Sequence, residues 1–251
     1  MDMNTTILSD AHCFTGSFEQ VILPYNSTIA PSSTSPASNK LQCAAQCHLQ
    51  DDCNGFLYDC AQKLCSFLDC FNPENENKFN EDRTVEAYAK RVDHLLARGK
   101  PVTMSTVYHS PGTSTSFPGY FAVDGIYRPP SSNERLSIAH SDLEANPWLR
   151  VDLQKVHCIW AVRILNRGDS SDLSVAKRLR DVVITASNTE DELLIESGPK
   201  SFCGRFDGIL NPHFITITCA HSMKAQFVQL QMMGFGILNI YEFEVHGFAS
   251  D

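Results

Sequence analysis

Ile240-Tyr241-Glu242-Phe243-Glu244-Val245-His246 alternates with a period of two: Tyr241, Phe243 and Val245 are apolar, Glu242, Glu244 and His246 polar. Successive side chains of an extended chain point to opposite faces, so the pattern predicts a half-buried β-strand over 240–245. Outward from it, short apolar runs recur at Leu149–Leu153, Cys158–Leu165, Asp181–Ala186, Phe214–Cys219 and Gln226–Met232, with no long helical pattern between them. Many short strands without intervening helices predict an antiparallel β-sandwich or jelly roll over residues 92–251. Fifteen residues lie between Cys203 and Cys219, which fits a disulfide across a hairpin-like excursion.

The N-terminal part reads differently. Seven of the ten cysteines fall between Cys13 and Cys70. Leu41–Cys47 reads as a short helix with Ser38 as N-cap, and its spacing puts Cys43 and Cys47 on one face. Phe56-Leu57-Tyr58 and Val85–Tyr88 read as strands, and the Ser/Thr/Pro-rich stretch from Ser27 to Asn39 as a long exposed loop. So small a core needs staples, each disulfide contributing about 2–4 kcal/mol. Cys43, Cys47, Cys53 and Cys65 are therefore read as structural disulfides rather than zinc ligands, because no Cys-x-x-Cys pair is present. One cysteine of the odd seven is left to stay free, to pair between chains or to reach Cys158. The expected organisation is an extension over 1–12, a disulfide-rich α+β domain over 13–91 and the β-sandwich over 92–251.

A formal net charge of −9 argues against broad nucleic-acid or anionic-membrane binding, while a neutral ligand is compatible with it. No apolar run approaches the ~18 residues of a membrane span. Cysteine density and the sequons at Asn4 and Asn26, which make these candidate glycosylation sites, point to an oxidising compartment and a secreted protein. Met1–Thr6 lacks a basic region and an apolar core, so a leader is expected to be missing from this sequence. No nucleophile elbow, phosphate loop or His-Glu-x-x-His helix appears, so the chain is not read as an enzyme.

The helix with two cysteines, a third cysteine, Phe-x-Tyr and a fourth cysteine resembles a PAN/apple domain over roughly 13–90. Arg98-Gly99-Lys100-Pro101-Val102-Thr103-Met104-Ser105, Trp148–Leu153 and Glu242–Gly247 are similar to the discoidin-like superfamily. Within that half, His140 is followed after twenty-six residues by Arg167-Gly168-Asp169 and then by Arg178-Leu179. This order resembles the sugar-binding signature of the F-type lectins, or fucolectins. The resemblance implies a non-catalytic lectin for terminal L-fucose or similar glycans on cell or microbial surfaces. His140, Arg167 and Arg178 would hold the sugar, and Asp169 would brace the arginines by ion pairing. The side-chain chemistry suits a sugar hydroxyl, which both donates and accepts. Arginine presents five donors in a rigid fork, and a neutral imidazole one donor and one acceptor.

Two departures stand out. The family places four residues between the aspartate and the last basic residue, whereas eight separate Asp169 from Arg178 here. Strict spacing lands on Ser174, and Lys177 is the alternative cation. Ser170 and Ser171 stand where many members carry adjacent cysteines touching the sugar. The resemblance also implies a calcium ion beside the sugar loops, with Asp124, Ser137 and Glu242 as side-chain ligands and the carbonyls of Phe121, Ile126 and Tyr241. Without the ion, Asp124 reads as an Asx turn before Gly125. Single-site affinity would be weak, so several sites on one homo-oligomer or surface are expected. The rival reading is a discoidin-type adhesion module with a degenerate sugar site, binding protein or phospholipid through apolar spikes such as Phe117 or Tyr120. Arg167–Ser170 also spells an integrin-type attachment sequence, which the lectin pattern already explains.

Overall fold

The computed structural model describes residues 18–21, 31–73, 85–90, 92–93, 95–127, 137–167, 174–190, 200–209 and 214–248. The chain forms two compact units, Met1–Asp69 with Pro73–Arg91, and Cys70–Asn72 with Val92–Asp251. It is mainly β and antiparallel throughout.

The first unit contains β1 (Phe18–Val21), β2 (Ser33–Pro36), α1 (Lys40–His48), β3 (Gly55–Asp59), β4 (Leu64–Leu68) and β5 (Val85–Lys90). Its sheet runs β1-β5-β3-β4-β2. The Ser/Thr/Pro stretch is thus not all loop: Ser33–Pro36 pairs with β4. It forms an edge strand, where a proline's missing N–H does no harm. The N-cap of α1 is Asn39 rather than Ser38. Asn39 Oδ1 accepts from Gln42 N at 3.0 Å, and Gln42 Oε1 accepts from Ser38 N at 2.8 Å. This reciprocal pair satisfies two otherwise orphaned amides. Cys43 and Cys47 are fully buried and bond to Cys65 and Cys53 respectively. Phe56, stacked 5.0 Å from Tyr88, fills the core beneath them.

The second unit begins at β6 (Val92–Asp93) and continues through β7 (Val102–Met104), β8 (Ala139–His140), β9 (Glu144–Ala145) and β10 (Trp148–Asn166). It ends with β11 (Arg180–Ser187), β12 (Ser201–Ile209), β13 (Phe214–Met232), β14 (Phe235–Gly236) and β15 (Asn239–Phe248). The main sheet runs β12-β11-β13-β10-β15-β6, with β7 added on β10 and β8 on β15, while β9 and β14 form a separate ribbon. Runs predicted as separate strands are continuous. Leu149–Leu153 and Cys158–Leu165 both lie in β10, and Phe214–Cys219 and Gln226–Met232 both lie in β13. The intervening residues are absorbed by register shifts after Asp152 and Ile159, which bend a strand without ending it. The bent sheet encloses one core that includes Leu149, Val151, Val162, Ile164, Val182, Ile184, Phe243 and Val245.

β15 departs from the expected half-buried strand, because all ten of its residues are buried. Glu242, Glu244 and His246 are 2%, 4% and 7% exposed, so their face is covered as well. Cys203 pairs with Cys219, and Cys158 with Cys70, which draws Cys70–Asn72 into this unit. Cys60 is exposed and outside any disulfide, while Cys13 lies outside the described residues.

Candidate functional site

His140 is placed by its own main chain. Its N–H donates to the Phe117 carbonyl at 3.0 Å, its carbonyl accepts from Tyr108 N at 2.8 Å, and across β8 it faces Asn239. The imidazole packs 4.7 Å from the Tyr108 ring and 6.1 Å from that of Phe117. Its Nδ1 lies 2.7 Å from the Ser141 carbonyl oxygen. A carbonyl only accepts, so Nδ1 carries the proton and Nε2 keeps a free lone pair. Burial pushes the imidazole pKa down; the Ser141 carbonyl opposes this, and the positive charges of Arg167 and Arg178 reinforce it. The ring is therefore neutral at pH 7.

Arg167 directly follows the last residue of β10, and Arg178 ends a short 3-10 turn, Ala176–Arg178. Asn166, 1% exposed, donates from Nδ2 to the Ala176 carbonyl at 2.9 Å. That bond ties the strand end to the turn, so residues far apart in sequence reach one place. His140, Arg167 and Arg178 line a single pocket of about 570 Å³, within the range of small-ligand sites. Tyr108, Phe117 and Ile138 add apolar wall, and among the described residues that line it Asp142 is the one carboxylate. Lys177 and Ser174 are exposed and do not line it. Of the two cations that could end the signature, Arg178 is the one at the pocket. Asp169, Gly168, Ser170 and Ser171 lie outside the described residues, as do Asn4 and Asn26.

Sequence pattern gave no sign of Tyr108, Asp142 or Leu143 in this pocket. Phe117, expected as an exposed spike, instead packs with Ile138, Leu165 and Tyr241. Tyr120 remains 56% exposed.

Five of the six residues of the expected calcium set fall on two neighbouring stretches. Phe121 lies in the 3-10 turn Gly119–Val123, Asp124 caps that turn, and Ile126 follows; Tyr241 and Glu242 lie on β15, which packs against it. Ser137 stands apart from both, just before β8. Asp124 Oδ1 accepts from Ile126 N at 2.8 Å, so the Asx turn does form. Glu242 Oε1 accepts from Gly125 N at 2.9 Å, whereas its Oε2 is buried without any hydrogen-bond partner. Burial pushes the Glu242 carboxyl up to about 8, with Asp124 and Glu244 adding repulsion. Burial likewise raises Asp124, against the Ile126 N–H and Arg98. Glu244 Oε2 has Arg163 at 3.6 Å and His246 at 3.3 Å, so among these acids Glu242 is the one with a buried oxygen left without a donor. A buried carboxylate oxygen without a donor, facing a second acid, fits a hard cation that prefers oxygen ligands. Among the described residues no three His, Cys, Asp or Glu side chains gather, so backbone carbonyls would have to complete the shell.

A family model described as the NedA-like, galactose-binding domain matches residues 121–230. Fucolectin-1 of Anguilla japonica is 29% identical over 154 residues, which is 61% of this chain and 80% of that protein. Fucolectin-5 of the same eel is 42% identical over 77 residues, 31% of this chain and 39% of its own length. Among solved structures, the f-lectin (fucolectin) from serum of Morone saxatilis, striped bass, aligns with a TM-score of 0.51 at 23% identity, covering 75% of this chain and 58% of that one. Residues 121–230 thus carry the galactose-binding-domain pattern, and the unit built on them has the discoidin-like β-sandwich fold of the F-type lectins.

Proposed function

We propose that the protein is a non-catalytic lectin that holds terminal L-fucose, or a similar sugar, in the His140–Arg167–Arg178 pocket. One observation carries the reading: three polar side chains from β8, the end of β10 and the turn before β11 line the same cavity. A sugar hydroxyl both donates and accepts. The arginine forks donate to its lone pairs, and the bare His140 Nε2 accepts its proton. Hydrogen bonds to charged groups contribute about 1.5–3 kcal/mol each, so a single shallow site gives specificity at modest affinity. Tyr108 and Phe117 offer apolar surface to the sugar's C–H face. Ser170 and Ser171 cannot supply the contact that a cysteine pair makes in other members, which alters ligand choice.

In the same reading Asp124 and Glu242, with Ser137 and the carbonyls of Phe121, Ile126 and Tyr241, hold a calcium ion. The ion would compensate the buried Glu242 and the half-buried Asp124 and order the segment leading to His140. The fucolectin relatives and the four disulfides among the described residues support an extracellular protein. No described helix is long and apolar enough to cross a membrane. Fucosylated or related glycans on cell or microbial surfaces are the partners, engaged through several sites on an oligomer or on a surface. The first unit we read as PAN/apple-like: one helix tied by two disulfides over a five-stranded antiparallel sheet supports this. A glycan array with wild type and His140→Ala tests the function. Binding of fucosylated glycans by the wild type that the variant loses is expected; an array empty for the folded, calcium-loaded wild type sinks the proposal.

A further inference from the structure

Beside the pocket, β9 and β14 form a two-stranded ribbon with Phe235 opposite Ala145 and Gly236 opposite Glu144. Continued by one residue, that register sets Ile237 opposite Leu143, and both of these line the pocket. Side chains directly opposite each other share a face, so Ala145 and Phe235 lie on one side of the ribbon, and Leu143 and Ile237, which flank the strands, carry the apolar surface to the pocket.

The other face is anchored. A side chain at Gly236 would collide with the buried Met232. Glu144 Oε1 accepts from Ser105 Oγ at 2.7 Å and Thr106 Oγ1 at 2.5 Å. The far end is closed by Asn146 N donating to the Gly234 carbonyl and Gly234 N donating to Asn146 Oδ1, both at 2.7 Å. Gly234 adopts a φ of +88°, which suits a residue without a side chain. Arg180 Nη2 also donates to the Phe235 carbonyl at 3.1 Å. The ribbon is therefore fixed, and its open face is apolar: Leu143 is 59% exposed and Phe235 62%.

We propose that this face seats the second sugar of a bound glycan, the residue next to the one held by His140, Arg167 and Arg178; the inference rests on the carbohydrate reading above. Leu143 and Ile237 belong to the pocket, and Phe235 lies two residues further along the strand, about 7 Å away. A chain leaving the pocket on that side runs directly onto it. The C–H face of a pyranose is apolar, and an aromatic ring on a rigid support takes it at little entropic cost. No charged side chain stands among these four residues, so a neutral hexose is the occupant that matches.

The test is calorimetric titration of methyl α-L-fucoside and of a set of α-L-fucosyl-hexose disaccharides differing in linkage, using the full calcium-loaded chain. At least one disaccharide is expected to bind about tenfold tighter than the monosaccharide. Phe235→Ala should remove that gain and leave the monosaccharide Kd within about twofold. The proposal is overturned if no disaccharide gains, or if Phe235→Ala weakens both ligands equally or neither. It is also overturned if sedimentation shows a wild-type dimer that Phe235→Ala dissolves, since a second copy would then cover the face. Failure of the wild type to bind any of these sugars removes the pocket reading itself, and this one with it.

Discussion

Truncating Arg178 while leaving its neighbour Lys177 in place separates the two ways of ending the sugar signature. Arg178 lies in a 3-10 turn whose buried residue is Ala176, followed by the fully buried Leu179. Those two apolar anchors, together with the Asn166 tether to the Ala176 carbonyl, hold the turn without the arginine side chain. Arg178→Ala should therefore leave the fold intact, with a melting midpoint within a few degrees of wild type. What it removes is a half-exposed guanidinium lining the pocket. A charge-assisted hydrogen bond is worth about 1.5–3 kcal/mol, which converts to a loss of roughly 10- to 150-fold in fucose affinity. Partial exposure places the expectation toward the lower end. Lys177→Ala, an exposed side chain outside the pocket, should change affinity less than about twofold. Arg178→Lys keeps the charge but not the fork, so an intermediate loss is expected. Calorimetry or competition on immobilised fucose measures all three. If Lys177→Ala abolishes binding while Arg178→Ala does not, the assignment of the site is wrong.

Three further outcomes follow from the same geometry. Burial holds the His140 pKa below the ordinary 6.5, so between that lowered pKa and 6.5 the unfolded chain binds more protons than the folded one. Stability should fall as pH drops below about 6.5, and fucose affinity should fall at the lower pH where the folded ring takes its proton, since protonation fills Nε2 and adds a charge beside two arginines. An affinity that is flat from pH 7 to 4.5 would contradict this. For calcium, chelator should lower the melting midpoint of wild type, and Glu242→Gln should abolish the difference; above about pH 8, where the carboxyl ionises, the variant should also make the chelated protein more stable, because it removes a buried charge yet keeps an acceptor for Gly125 N. An unchanged wild-type midpoint counts against a bound ion. Finally, Ser141 is fully buried, accepts from Leu238 N at 3.0 Å and donates to the Asp142 carbonyl at 2.8 Å. Ser141→Ala strands a buried amide and should cost about 1–3 kcal/mol in denaturant melts; no change would mean that the segment after His140 repacks freely.

The parts legible in the sequence were those with local causes. The period of two in β15, the paired cysteines of α1 and the spacing from His140 to Arg167 are all visible without a fold. Strand continuity was not, because the bulges in β10 and β13 hold together runs that composition separates at Gln154–Val156 and Ala220–Ala225. The burial of Glu242, Glu244 and His246 was also hidden: polar residues on a regular alternation read as solvent-facing unless the cover is known. The partner of Cys158 depends on Cys70, eighty-eight residues away, which no spacing rule reaches. The choice between Lys177 and Arg178 rested on which side of a 3-10 turn faces inward, a matter of a single residue. The aromatic wall and the ribbon face beside the pocket arise only when β7, β8, β9 and β14 meet.

The central claim is that His140 presents a bare Nε2 to a sugar hydroxyl between two arginines, and nitrogen NMR of the histidine side chains reads it directly. In calcium-loaded protein at pH 7, His140 should be the neutral tautomer with its proton on Nδ1, and L-fucose should shift the Nε2 resonance toward the hydrogen-bonded value as the site fills. An Nε2-protonated ring, or an Nε2 signal unmoved by millimolar fucose, would contradict the account.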